Sequence, residues 1–275
     1  MEQMNEIKKT LAILKARWPE VTLVVGLYGL AVLSNNLFLF RPARPDSAIT
    51  LILPSIAFSV TLMVVSTMLY CGFLRTVYLE GQEGQTPMAL LKKGRRFFWR
   101  MVGFSLIYGV PYLILAWLTF LIMKYLTSTD TSFLEAANVT PWLYQLCYIA
   151  PMLILIKVIL FIPALILVLD CGVFESFKFL RIFRLLDSKE LVALYCLGAV
   201  LPFLWVFLRI PSDPETTSQY ILITVPTVIG YVLWLIIAVT AVRFVGSLDL
   251  VWDSSPGSPD SEDLSEEEAD SPMED

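Results

Sequence analysis

Lys157 is the residue in this sequence best placed to do chemistry inside a membrane. It lies 15 residues after the start and 11 residues before the end of an apolar run, Trp142 to Val168. An unpaired lysine near a bilayer centre costs roughly 2.5–3.5 kcal/mol, and such residues often mark a substrate or ion pathway. No Asp or Glu occurs at a comparable depth in the other apolar runs. The sequence therefore predicts a ligand-binding site at Lys157, with Asn35, Asn36, hydroxyls, water or an anionic ligand as partners. Snorkelling along a tilted helix is the alternative.

Residues for catalysis or metal binding are sparse. The chain has no histidine, and its four cysteines lie in or beside apolar runs, without the spacing of a zinc site or a disulfide framework. Asp170 and Glu175 are the nearest approach to paired carboxylates, but five residues and a glycine separate them, so they do not share a helix face. We interpret Asp170 as a cap for a helix that begins near Gly172. We expect no catalytic residues, no metal, no cofactor and no enzyme activity.

Two clusters of basic residues predict contacts with anionic lipid headgroups. Each lysine or arginine near an anionic leaflet contributes about 1 kcal/mol. A simpler role as topological anchors would also account for both clusters. Because they adjoin apolar runs, they do not predict nucleic-acid binding. The clusters are Lys92, Lys93, Arg95 and Arg96, and then Lys178, Arg181 and Arg184.

Apolar runs long enough to cross a bilayer are the elements that must position these residues. Hydrophobic residues make up 57% of the chain and charged residues 16%, which is typical of an integral membrane protein. We predict an all-α polytopic fold with six transmembrane helices in one membrane domain, residues 21–251. The predicted spans are Val21–Phe40, Ile49–Cys71, Met101–Met123, Trp142–Val168, Leu191–Leu208 and Tyr220–Val242.

The distribution of lysine and arginine predicts the orientation of these spans. With the N-terminus inside, 15 of the 20 basic residues fall in cytoplasmic segments and four outside, and Lys157 is intramembrane. Positive residues are enriched in cytoplasmic loops, so both termini are predicted to be cytoplasmic.

The two terminal segments differ in charge. Residues 1–20 form a charged N-terminal segment. Residues 252–275 carry ten acidic and no basic residues and are predicted to be a disordered tail.

Two segments have the pattern of amphipathic helices that lie along the cytoplasmic face. One runs from Met88 to Arg100, and the other follows a junction at Asp170-Cys171-Gly172. A Cys-Gly pair ends both the second and the fourth span, each before a basic amphipathic segment and a proline-containing span. This order suggests an internal repeat of two parallel units.

The second junction also carries a family resemblance. Gly172-Val173-Phe174-Glu175-Ser176-Phe177-Lys178, after an apolar span and an acidic turn, resembles a pattern of the YciC-like bacterial six-helix inner-membrane proteins and of the membrane domain joined to some glycerophosphoryl diester phosphodiesterases. After Lys178 the sequence departs from it. The resemblance implies a multi-pass bacterial inner-membrane protein and brings no catalytic residues, since the phosphodiesterase chemistry belongs to a separate soluble domain.

Two functions remain open at this point. The first is a structural or accessory role in the envelope or in a complex, with a membrane-protein partner or a second copy of the chain. The alternative is a small transporter or lipid-handling protein with its site around Lys157, which would suit the prolines inside five predicted spans.

Asn138-Val139-Thr140 fits the acceptor pattern for N-glycosylation on the outer side, which is relevant only in a secretory-pathway host.

Overall fold

The computed structural model describes residues 4–39, 49–80, 85–127, 141–181, 189–200 and 217–248. Within these ranges all regular structure is helical, which confirms the predicted all-α class. Asn138, Arg184 and the acidic tail lie outside the described residues. The helices are α1 (Met4–Ala16), α2 (Trp18–Leu39), α3 (Ile49–Glu80), α4 (Pro87–Thr127), α5 (Pro141–Ile154), α6 (Ile156–Leu169), α7 (Val173–Phe179), α8 (Lys189–Val200) and α9 (Thr217–Gly246).

Several of these helices have the length and composition of membrane spans. Three described segments could each cross a bilayer alone: Ala57–Leu79 in α3, Pro87–Leu126 in α4 and Thr224–Gly246 in α9. Two bent helix pairs, α1 with α2 and α6 with α7, would bring the total to five. Long apolar helices of this kind are those of an integral membrane protein.

Two helix boundaries differ from the sequence prediction. Helix α3 continues past Cys71 to Glu80, so the polar segment predicted from Arg75 onward begins as helix. The segment from Met88 to Arg100 is not a separate helix, because α4, 41 residues long, runs through it without a break. A helix of that length is about 60 Å long, roughly twice the hydrocarbon thickness. The basic turns of α4 therefore extend beyond the apolar part of the helix.

The chain turns sharply between α1 and α2. The two helix axes meet at 88°, and Arg17 links them with helical backbone bonds on both sides, from its N–H to Ile13 and from Val21 to its carbonyl. Pro19 explains the bend, since a proline ring clashes with the carbonyl four residues earlier and donates no hydrogen bond.

Helix α6 lies at the centre of the bundle. Leu160, Phe161 and Ile162 are buried, and so are all residues from Ala164 to Val168. A helix that is apolar on every face belongs in a protein core or in a membrane, and the burial of these residues shows that neighbouring helices rather than lipid surround this part of α6. The predicted fourth span is divided at Leu155 (φ −93°, ψ 13°) into α5 and α6. The Tyr195 hydroxyl of α8 donates to the Met152 carbonyl just before this division, at 2.7 Å.

Helices α3 and α4 cross with their backbones in contact. A Cβ atom added to Gly72 would lie 1.9 Å from the Leu90 carbonyl oxygen, and one added to Gly94 would lie 1.7 Å from that of Met68. Only glycine fits at both positions, as at the small-residue interfaces of membrane helices.

Five helix ends meet at one end of the bundle, called here the basic end. They are the α1–α2 bend, the end of α3, the start of α4, the α6–α7 junction and the end of α9. The Thr10 and Thr240 hydroxyls lie 3.2 Å apart and join α1 to α9. Gly246 of α9 packs on the Tyr78 ring of α3. The described segments before α2, between α3 and α4, at the α6–α7 junction and at the end of α9, which carry most of the predicted cytoplasmic charges, thus share one end.

Candidate functional site

The candidate site is built on the α6–α7 junction. Helix α6 ends at Asp170, whose φ of 53° is the only positive value among the described non-glycine residues. The chain then turns by 112° into α7. Gly172 is the N-cap of α7 (φ −70°, ψ 163°), and its N–H donates to Glu175 Oε2 at 2.7 Å. Glu175 therefore supplies half of a capping box, and the prediction that Asp170 caps this helix is wrong.

Asp170 pairs instead with two arginines of α4. Arg96 Nη2 lies 2.9 Å from Asp170 Oδ2. Arg100 Nη1 donates to the Asp170 main-chain carbonyl at 2.9 Å and also pairs with Oδ1. Arginine and carboxylate groups form strong charge-assisted hydrogen bonds. The left-handed backbone at Asp170 turns both its carbonyl and its carboxylate toward α4, and the two arginines hold it there.

A third arginine reaches the same junction from α3. Arg75 Nη1 donates to the Val168 carbonyl at 2.9 Å and to the neighbouring Leu167 carbonyl. These carbonyls lie in the last turn of α6, which ends at Leu169, so they have no partner within their own helix. A cation is favoured at such a helix C-terminus. The guanidinium groups of Arg75 and Arg100 both lie over the Phe97 ring, at 5.6 and 5.7 Å from its centroid.

Together these side chains form a clamp, named here the junction cluster: Arg75, Arg96, Arg100 and Asp170. Three positive charges face one negative charge, so the cluster keeps a net positive charge although each member has a partner. The Arg96 side chain is 54% exposed, whereas that of Asp170 is 23% exposed. Chemically the cluster can join α3, α4 and α6 and attract anions. Among the described residues no group of His, Cys, Asp and Glu is arranged to bind a metal ion.

A second ion pair supports the α1–α2 bend. Arg17, 1% exposed, lies 2.9 Å from Glu20 Oε2 and stacks on the Phe73 ring of α3 at 5.5 Å. Glu20 also accepts the main-chain N–H of Gln85, just before α4. The buried pair thus links the start of α2 to the connection between α3 and α4, a role that the sequence did not reveal.

The predicted lipid-contact residues lie at the basic end as far as they are described. Lys92, Arg95 and Arg96 are exposed on the first turns of α4, and Lys178 and Arg181 are exposed at and after α7. Arg96 has the second role described above. Arg184 lies outside the described residues, and Lys93 is half-buried.

Aromatic side chains are exposed near the same positions. Trp18 begins α2, Trp99 adjoins Arg100, and Phe174 lies in the first turn of α7; each exposes at least 64% of its surface. Tryptophan and lysine or arginine side chains together are typical of the level where a membrane protein meets the headgroups. At the basic end these are therefore the positions at which we expect the headgroup level.

The site predicted around Lys157 is not assembled by the described residues. Lys157 is half-buried in the first turn of α6. No described carboxylate lies within ion-pair distance of it. Asn35 and Asn36 belong to α2, but their side chains lie outside what the structure describes. The prediction for these three residues remains a prediction.

A cavity of about 290 Å³ lies elsewhere, between α2, α3, α4, α6 and α9. Its wall includes Tyr28, Tyr70 and Tyr231, and does not include Lys157. This space is called the internal cavity below.

The sequence missed Arg75 and Arg100, which it treated only as topology signals. Their partners lie 92 and 70 residues away in the chain. One available signal was Asp170 itself, an acid at the end of an apolar run in a protein whose neighbouring segments are basic. Comparison of the chain with protein-family models, characterised proteins and solved structures gave no significant match.

Proposed function

We propose that this chain is an integral membrane protein without catalytic activity that has an accessory role in a bacterial inner membrane. It spans the bilayer six times with both termini in the cytoplasm, and it supports envelope organisation or a partner complex by holding its basic end on an anionic leaflet. The YciC-like pattern at Gly172–Lys178 agrees with that location. The observation that carries the proposal is the junction cluster, where charges join helix ends to one another.

Shared placement of helix ends supports the proposed topology. Helices α1 and α9 touch through Thr10 and Thr240, so the first and last described helices meet at the basic end. Arginine and lysine residues concentrate there, which agrees with the expected cytoplasmic enrichment. A right-angle bend at each of two places, 88° and 112°, suits helices that turn from the membrane core into its interface.

Rigidity and surface charge support the proposed anchoring. The junction cluster and the Arg17–Glu20 pair together fix α2, α3, α4 and α6 relative to one another. Outside them, Lys92, Arg95 and Lys178 are exposed and face no described carboxylate at ion-pair distance. Each such residue adds about 1 kcal/mol of attraction to an anionic leaflet, and the effect falls within a Debye length.

Native mass spectrometry of the detergent-released protein tests this function. We expect the wild type to retain phosphatidylglycerol in preference to phosphatidylcholine, and the double variant Lys92→Gln/Arg95→Gln to lose that preference. Lys124→Gln is the control, because it removes a positive charge from the opposite end of the same helix. Equal retention of both lipids by the wild type, or the same loss in Lys124→Gln, would contradict the proposal.

Transport or lipid handling is the second candidate, and the internal cavity favours it. If Lys157 serves such a site, Lys157→Leu should abolish ligand retention without loss of folding. Under the accessory function the same substitution is tolerated and leaves the spectrum of bound lipids unchanged. The two candidates thus predict different masses in one experiment.

A further inference from the structure

The internal cavity lies within the hydrocarbon depth of the bundle. Pro163 in its wall is seven residues before Asp170, and Ser105 is five residues after Arg100. At a rise of about 1.5 Å per residue these positions are about 10 and 7 Å from the junction cluster along their helices. Tyr231, twelve residues before Arg243, is about 18 Å from Arg243 along α9 by the same measure.

The cavity wall is uncharged but contains hydroxyl groups. Among the described residues that line it there is no acidic or basic side chain. Ser66 forms a hydrogen bond with Tyr231. The hydroxyls of Tyr28 and Tyr70 form no hydrogen bond with another described residue. Both can therefore donate a hydrogen bond to a ligand in the cavity, where lipid tails offer neither donors nor acceptors.

Aromatic rings form one side of the wall. Tyr28 and Tyr231 are stacked, with ring centroids 3.7 Å apart and planes 7° from parallel. The Tyr70 ring is 6.1 Å from that of Tyr231, at 46°. Tyrosine rings offer flat faces on which a planar ring can stack, and their hydroxyls offer donors at the edge. At the rim, Met63 and Ser105 are exposed on α3 and α4, so the cavity communicates with the membrane side.

We propose that the internal cavity is a binding site for an uncharged, planar, membrane-soluble ring compound that carries carbonyl acceptors. Tyr28 and Tyr70 donate hydrogen bonds to its oxygens, and the stacked tyrosines contact its face. A charged ligand is disfavoured because nothing in the described wall balances a charge at hydrocarbon depth. The volume, at the lower limit for small-molecule sites, fits one ring system. This site goes beyond the accessory function and does not depend on it.

Equilibrium dialysis with two matched probes tests the proposal. Duroquinone is a tetramethylated benzoquinone, and durene is the tetramethylated benzene without the carbonyls. The full chain in detergent is dialysed against each probe, and binding to empty micelles is subtracted. We expect duroquinone to bind at least tenfold more tightly than durene, because two hydrogen bonds each contribute about three- to tenfold in affinity.

Two variants and a control make the test specific. Tyr28→Phe/Tyr70→Phe keeps both rings and should weaken duroquinone binding about tenfold or more while leaving durene binding unchanged. Ala31→Trp should fill the cavity and abolish binding of both probes. Tyr125→Phe, a substitution at a highly exposed tyrosine outside the cavity, should change nothing. The proposal is overturned if wild-type binding does not exceed that of empty micelles, if the two probes bind equally, or if the double phenylalanine variant binds like the wild type.

Discussion

The dipeptide Cys-Gly ends an apolar run at two places in this chain, and the two places have different structures. At Cys71-Gly72 helix α3 continues for two more turns, and Gly72 touches the backbone of α4. At Cys171-Gly172 the helix has stopped, and the chain turns by 112° into α7. The residue before each pair differs: Tyr70 stays helical, whereas Asp170 adopts a left-handed backbone and binds arginines.

The difference teaches that the same small residue has opposite uses. Gly72 permits α3 and α4 to approach closely, because the α4 backbone leaves no room for a Cβ atom there. Gly172, with φ −70° and ψ 163°, has a conformation open to any residue, and its N–H is the group in use. The internal repeat therefore stays a prediction about the order of segments, and at these two junctions the described structures are not alike.

Alanine at each glycine separates the two regions most strongly. For Gly72→Ala the new Cβ would overlap the Leu90 carbonyl, which can move only if α3 and α4 separate, and we expect a loss of about 3 kcal/mol or more. For Gly172→Ala the nearest atom is Glu175 Oε2 at 3.2 Å, at the end of a flexible side chain, so the cost should be below about 1 kcal/mol. Thermal unfolding in detergent measures both. Gly109→Ala, with open space around it, serves as the control, and equal losses for Gly72 and Gly172 would refute the distinction.

Substitutions of Asp170 test why the chain bends at only one of the two junctions. Asp170→Ala leaves Arg96 and Arg100 without their carboxylate and should cost about 2–3 kcal/mol. Asp170→Gly removes the same carboxylate but favours the left-handed backbone, so it should be about 1 kcal/mol less damaging. Denaturant-dependent unfolding followed by circular dichroism would show this order. If alanine and glycine behave identically, the backbone conformation is not part of the junction's stability.

Arg75 provides a test of the helix-end contact. We expect Arg75→Gln to destabilise the protein by about 1–2 kcal/mol, because the Leu167 and Val168 carbonyls lose a charged donor. Arg95→Gln, at an exposed position one helix away, should change stability by less than about 0.5 kcal/mol. Thermal unfolding of the two variants side by side measures both losses of stability. A larger effect at Arg95 would be inconsistent with the role of Arg75 in the junction cluster.

Glu175 carries the smallest expected effect. Glu175→Ala removes the acceptor of the Gly172 N–H and should cost about 1 kcal/mol. Glu175→Gln keeps an acceptor at the same place and should be nearly neutral. Hydrogen exchange at the first turn of α7 measures the local result, with faster exchange expected only in the alanine variant. Faster exchange in both variants would mean that the charge rather than the hydrogen bond stabilises the turn.

How far the sequence could predict the fold depended on the range of the interactions. The apolar core of α6 and the change of direction after Asp170 follow from local periodicity, and both were predicted. The division of residues 88–123 into a separate interfacial helix and a span was wrong, because α4 continues through both. No proline lies at the predicted boundary between Arg100 and Met101. An amphipathic pattern alone does not distinguish a separate helix from the first turns of a long one.

The candidate site was less predictable, because its contacts are long-range. Nothing local in Arg75 indicates that it will bind carbonyls 92 residues later. Likewise Gly72 and Gly94 reveal their role only when the distance between α3 and α4 is known. Lys157 stood out in the sequence because the free-energy cost of a lysine in a membrane follows from its depth in the bilayer. The described residues nevertheless supply no ion-pair partner for it.

The most direct test of the central claim, that the basic end is held on an anionic leaflet, is fluorescence quenching at Trp99. This side chain is 74% exposed and lies between Arg96 and Arg100. A form that retains only Trp99 among the tryptophans, reconstituted with brominated phosphatidylglycerol or brominated phosphatidylcholine, reports which lipid surrounds it. We predict stronger quenching by the anionic lipid, a difference that shrinks as salt is raised and disappears in Lys92→Gln/Arg95→Gln. Equal quenching by the two lipids at low salt would contradict the account.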